Sequence, residues 1–186
     1  MVARIRRKGN TRYILISAFI FGILHVPDSV HWLLAQQTEQ SSRIATDEAA
    51  IQDLISRLVA ASNANDVKAF ANVFAEDADF TNVIGQHVKG RASIEEFHAP
   101  YYSGPRQPGR PSFINARLTA VGSKIRFLRP DVAAVDIKWQ QTGAISPKGR
   151  PWGPRTGLMN WVVTREKGMW AIAVMHNLQL TPTCNP

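Results

Sequence analysis

Three polar side chains stand where the surrounding pattern turns them toward an apolar interior: His98, His176 and Asn82. His98 follows Ile94 by four residues and Phe97 by one on a stripe of helical period, and His176 shares strand parity with Ile172 and Val174. A neutral imidazole donates from one ring nitrogen and accepts at the other, so each histidine suits proton transfer near neutral pH or ligand orientation. The same placement also suits a core histidine bonded to backbone. Asn82 cannot take up a proton at neutral pH, yet its amide can orient a carbonyl or hydroxyl, or satisfy backbone at a strand end. Phe97, Tyr101, Tyr102, Trp139, Met159 and Trp161 are the expected apolar walls, since small-molecule sites are mostly apolar with few polar groups. His98 and His176 are therefore the candidate catalytic residues, and a small apolar molecule is the expected partner.

Other chemistries lack their signatures. His87, His98 and His176 are not at recognisable metal-ligand spacing, and the one cysteine, Cys184, is the third residue from the end and has no partner for an internal disulfide. There is no glycine-rich dinucleotide fingerprint and no nucleophile elbow, so neither a metal nor an organic cofactor is expected. Arg106, Arg110, Lys148, Arg150 and Arg155 fall in segments rich in proline and glycine, where they attract an anionic ligand or form a solvated rim.

The elements that must position these residues follow from periodicity. Thr46, Asp47 and Glu48 read as a helix start, with Ile51, Leu54, Ile55, Leu58 and Val59 on one stripe. Asp66 caps a shorter helix carrying Phe70, Val73 and Phe74. Residues 78–84 alternate as a strand, and a helix follows Gly90 and should end near Ala99, because Pro100 disfavours helical geometry there. Residues 113–121, 124–128, 132–141, 157–165 and 169–177 read as strands. Helices first and strands afterwards argue for an α+β domain on an antiparallel sheet. Residues 157–165 carry apolar side chains on both parities, so the outer sheet face should be covered by a second copy in a homodimer.

The chain carries 22 basic against 14 acidic residues, a net charge of +8. Arg4, Arg6, Arg7, Lys8 and Arg12, against Asp28 alone, supply half of that excess, and the +4 left on residues 36–186 without a base-reading motif argues against nucleic acid. The basic cluster precedes the apolar run YILISAFIFGIL, residues 13–24, which is the layout of an export signal ending near Ala35. If that segment, residues 1–35, is not cleaved, it anchors the chain to a membrane. Residues 36–45 read as a linker, 46–180 as the domain and 181–186 as a tail. The expected location is periplasmic or secreted.

The run SNANDVKAFANVFAEDADFTNVIGQHVKGRASIEEFH, residues 62–98, together with RFLRPDVAAVDIKW and GLMNWVVTREKGMWAIAVMHN, resembles the nuclear transport factor 2-like superfamily and within it SnoaL-like domains of SgcJ/EcaC type. The resemblance implies a cone of helices closing over a curved antiparallel sheet, commonly dimeric, with an apolar cavity. It implies either a cofactor-independent acid–base enzyme (isomerase, cyclase, dehydratase or hydrolase type) or a non-catalytic scaffold. In ketosteroid isomerase, a member of the superfamily, an aspartate base stands three residues before the glycine of a similar motif. Here Asn82 holds that place before Gly85, and Leu58 replaces the tyrosine expected on the first helix, so that constellation is absent.

Overall fold

The computed structural model describes residues 28–180, with side chains from Trp32 onward. It divides into one unit ending at Gln40 and a second beginning at Ser41, which holds everything below except the first residues of helix α1 (Asp28–Ala64). The expected export segment lies largely outside the described residues, and among them no helix is long and apolar enough to cross a membrane.

Residues 36–45, expected as a linker, are helical. Gln, Glu, Ala and Arg are good helix formers, and the hydroxyls that would cap a later start instead bond backward: Thr38 donates to the Leu34 carbonyl and Thr46 to that of Ser42. In the second unit the stripe Ile51, Leu54, Ile55 and Leu58 is buried, as its spacing requires. Asn63 and Asn65, which end that stripe, also fasten the helix. Asn63 exchanges two hydrogen bonds with the backbone of Leu118, and Asn65 donates to the Ile114 carbonyl.

Helix α2 is a single turn, Val67–Ala71, capped by Asp66, which accepts from the Ala69 amide. Val73 and Phe74 are buried but leave the helix, because strand β1 (Phe74–Thr81) starts earlier than its alternation suggests. Residues 82–85 form a turn to β2 (His87–Lys89), a strand too short to signal itself. Helix α3 (Arg91–Tyr102) starts after Gly90, whose φ of 88° is open only to glycine at little cost. It runs past Pro100. The proline removes one amide from the last turn, and the Ser103 amide closes that turn on Ala99.

The remaining strands are β3 (Arg117–Arg129), β4 (Val132–Thr142), β5 (Arg155–Glu166) and β6 (Met169–Leu180), in a curved six-stranded sheet of order β2-β1-β6-β5-β4-β3. All neighbours are antiparallel except β1 and β6. The two strands expected before residue 129 are one: Val121 is an extra residue between Ala120, opposite Trp139, and Gly122, opposite Lys138, and pairing resumes beyond it. On the inner face Val135, Ile137 and Trp139 lie beside Gly157, Met159 and Trp161 and pack against α1.

Asp47 ties the helical layer to the sheet. Its Oδ1 accepts from the Arg165 guanidinium and from Trp170 Nε1 at 3.0 Å. Asp47→Ala leaves both donors unpaired and should lower unfolding free energy in a denaturant titration by about 2 kcal/mol, the scale of hydrogen bonds to a charged group. Asp53→Ala, which breaks only the exposed pair with Arg57, should change it by less than about 0.5 kcal/mol.

Candidate functional site

A cavity of about 410 Å³ opens between α3, the inner face of the sheet and two loops, residues 103–116 and 143–154. The loops are joined. Ser112 and Ile145 exchange backbone hydrogen bonds, and Trp152 donates its amide to the Ala144 carbonyl. Of the expected residues, His98, Asn82, Phe97, Tyr101, Tyr102, Trp139 and Met159 all line this space.

His98 is 6% exposed and set among the rings of Phe70, Phe80 and Phe97, whose centroids lie 4.5, 4.7 and 5.2 Å away. Its Nδ1 is 2.7 Å from the Ile94 carbonyl. A carbonyl only accepts, so Nδ1 carries the proton and Nε2 is the bare nitrogen, with no hydrogen-bond partner among the described residues. Burial lowers the imidazole pKa to about 4, against a smaller opposing effect of the Ile94 bond. At neutral pH His98 is therefore an uncharged acceptor. Tyr102 shares a hydrogen bond of 2.9 Å with Ser62, and burial pushes its phenol upward, so it stays protonated.

His176 does not face the cavity. Ile172 pairs with Val163 and Val174 with Val162, leaving Ala173 as an extra residue that reverses the parity of β6. Trp170 and Ile172 point inward before this bulge and Met175 after it, while His176 is exposed beside Asn160. The strict alternation that placed His176 with Ile172 fails at that one residue. Trp161 is buried in the core and does not line the cavity, because it lies six residues beyond Arg155, roughly 20 Å along the strand. Asn82 lines the mouth but its carbonyl is committed: Oδ1 accepts from the amides of Ile84 and Gln86 and Nδ2 donates to Gln86 Oε1, an arrangement that shapes the turn.

Two residues absent from the expected set matter more. Asn177, turned inward by the same bulge, accepts from Trp139 Nε1 at 2.9 Å. Arg155, expected in a loop as part of an anion-attracting or solvated rim, is the first residue of β5 and only 6% exposed. It donates through Nη1 to Gln141 Oε1 at 3.0 Å and through Nε and Nη2 to Gln179 Oε1 at 3.0 and 2.8 Å. Its guanidinium lies 3.9 Å from the Trp152 ring centroid and 5.7 Å from that of Trp139. Burial lowers its pKa, but a guanidinium begins so far above neutrality that it stays charged.

The Trp139 indole crosses Gly157, where a Cβ would collide with the ring and with the Leu178 carbonyl. Among the described residues no group of three histidine, cysteine or acidic side chains comes together as a metal site would require.

A helical layer over one face of a curved sheet, enclosing a cavity, is the architecture of the nuclear transport factor 2-like, cystatin-like proteins. The chain belongs to the SnoaL-like domain family, whose model matches residues 43–176. It is similar to an uncharacterised Caulobacter vibrioides protein with a cystatin-like fold, at 25% identity over 73% of this chain and 90% of that one, TM-score 0.64. It is also similar to a nuclear transport factor 2-like protein of Novosphingobium aromaticivorans with a cystatin-like fold, at 17% identity over 80% and 92% of the two chains, TM-score 0.62. A third, from the same organism and provisionally named scytalone dehydratase, is 15% identical over 76% and 89%, TM-score 0.62. The last two speak for the fold alone. Among curated proteins none matches the chain.

Two outcomes follow from this geometry. The unfolded His98 takes up a proton below about pH 6.5 while the folded one resists until about pH 4, so its contribution to stability is complete above 6.5 and lost as pH falls toward 4. Between pH 7 and 5 wild type should lose roughly 2 kcal/mol more than His98→Asn, whose amide can keep the Ile94 bond; parallel pH curves would contradict the assignment. Gly157→Ala should displace the Trp139 indole and break its bond to Asn177, with a loss of about 1–3 kcal/mol and an altered near-ultraviolet circular dichroism spectrum.

Proposed function

We propose that the cavity binds a small, flat, largely apolar molecule and orients it by one hydrogen bond to Nε2 of His98. The observation that carries this reading is the bare imidazole nitrogen at the wall of an aromatic-lined space of about 410 Å³, within the usual size of small-ligand sites. An acceptor that the protein leaves unpaired favours a ligand that brings a donor. Phe97, Tyr101 and Trp139 supply the flat walls.

Turnover is the second reading, favoured by the same nitrogen standing in its basic form at neutral pH. No carboxylate lines the cavity, and a base of pKa about 4 is poorly matched to proton abstraction at pH 7. Tyr102 is the nearby proton donor. A cofactor-independent enzyme of isomerase, cyclase, dehydratase or hydrolase type would have to use His98 and Tyr102, and binding alone is the better supported function. On the quoted segments, we read the chain as the SgcJ/EcaC type within its family.

Naphthalene and 2-naphthol, at equal concentration, test the binding reading by thermal shift and calorimetry. Both should raise the melting temperature, and His98→Asn should weaken 2-naphthol about three- to tenfold while leaving naphthalene unchanged. No shift with either, together with no retained small molecule in protein purified from its own host, would reverse the conclusion in favour of a scaffold.

We also propose that the chain is exported, on residues 13–24, and that it forms a homodimer through the outer face of β4 to β6. Half-buried Leu158, Val162 and Val174 and exposed Leu178 support the second point, since they give that face apolar area beside Asp136 and Lys138. Sedimentation at micromolar concentration should return twice the chain mass, and Val162→Lys should return the monomer; a wild-type monomer sinks the idea.

A further inference from the structure

We infer that the ligand carries a carboxylate and that Arg155 receives it as a two-pronged donor. The inference rests on the reading of the cavity as a small-molecule site and names the chemical class of what enters it.

A guanidinium has five N–H donors. In Arg155 the Nε donor and one on Nη2 are spent on Gln179, and one on Nη1 is spent on Gln141. That leaves one N–H on each terminal nitrogen. Two uncommitted donors on the two ends of a planar fork match the two oxygens of a carboxylate. All protein partners of the group are neutral: two glutamine carbonyls and the faces of Trp139 and Trp152. Among the described residues no carboxylate forms an ion pair with it, and the cavity lining holds a second arginine, Arg110, and no acid. An arginine only 6% exposed and without a counter-ion is unusual in a folded protein, because buried charges are normally paired.

The site is also held rigid. Gln141 stands directly opposite Arg155 in the β4–β5 register, Gln179 is two residues beyond Asn177 on β6, and the Trp152 ring covers the guanidinium face. None of these contacts depends on a ligand, so little ordering remains to be done on binding. A phosphate or sulfate, with more oxygens and more charge, would ask for more donors than two. A flat acid has room to place its body against Tyr101 and Phe97.

Benzoate, 2-naphthoate and 3-phenylpropionate, each against its neutral primary amide, test the inference by calorimetry on the full chain. At least one acid should bind tenfold or more tightly than its amide, and the difference should shrink on raising salt only modestly because the site is buried. In Arg155→Met the acid should lose its advantage. Should that variant fail to fold, Arg155→Lys keeps the charge without the fork, and the preference should fall severalfold. Amides that bind as well as their acids overturn the carboxylate assignment and leave the cavity reading standing. Absence of binding by all six overturns both. A preference retained in folded Arg155→Met, or undiminished in Arg155→Lys, overturns the role of Arg155.

Discussion

One extra residue in the last strand sets what the inner face of the sheet presents. Without the bulge at Ala173, the parity that turns Trp170 and Ile172 onto the core would bring Val174, His176 and Leu178 to the cavity. With it, the upper half of β6 contributes Met175 and Asn177 instead. β6 is the strand that joins the short β1–β2 pair to the long β3–β5 meander, so a change of parity there redirects the centre of the sheet. The same shift appears in its pairing with β1, between Phe74 and Asp79. A bulge bends and twists the strand that carries it, which is also how a sheet is made to curve around a space.

The inner face then divides along its length. At one end Val135, Trp161, Val163 and Ile172 pack against α1 as a closed apolar core. At the other, side chains with polar ends are used sparingly and in pairs: Trp139 with Asn177, Arg155 with Gln141 and Gln179, Tyr102 with Ser62. Each pair satisfies one partner and leaves the other with capacity to spare. The low dielectric around them strengthens whatever further bond is formed, and makes an unmet one expensive. A core of plain hydrocarbon at this end would be more stable and would hold nothing.

Much of this was legible in the sequence. The apolar stripe of α1, the capped turn at Asp66 and the faces of β4 and β5 all survive in the structure, because period and capping are local properties, and the SnoaL-like resemblance carried by residues 62–98 is met by the family match. The inward placement of His98, four residues from Ile94 and one from Phe97, survives as well. What was not legible depends on interactions between distant segments. A bulge at Ala173 has no glycine or proline to announce it, and it alone separates the expected from the observed place of His176. Arg155 follows Gly153-Pro154 and reads as loop, and only the register that sets it opposite Gln141 draws it inside. Pro100 ends helices more often than it sits in their last turn, and here Tyr101 and Tyr102, packed against Phe113, hold that turn in place.

Two inward positions on β5, four residues apart, differ in the freedom they leave to descent. Gly157 lies beneath the Trp139 indole and admits no side chain at all, so drift there is closed. Trp161 is almost fully buried, yet its Nε1 finds no acceptor, and it takes no part in the cavity. What that position asks for is bulk and not a hydrogen-bond donor, and an unmet indole N–H counts against the tryptophan that happens to fill it. Over evolutionary time the first site is frozen by geometry, while the second is open to any apolar side chain of similar volume.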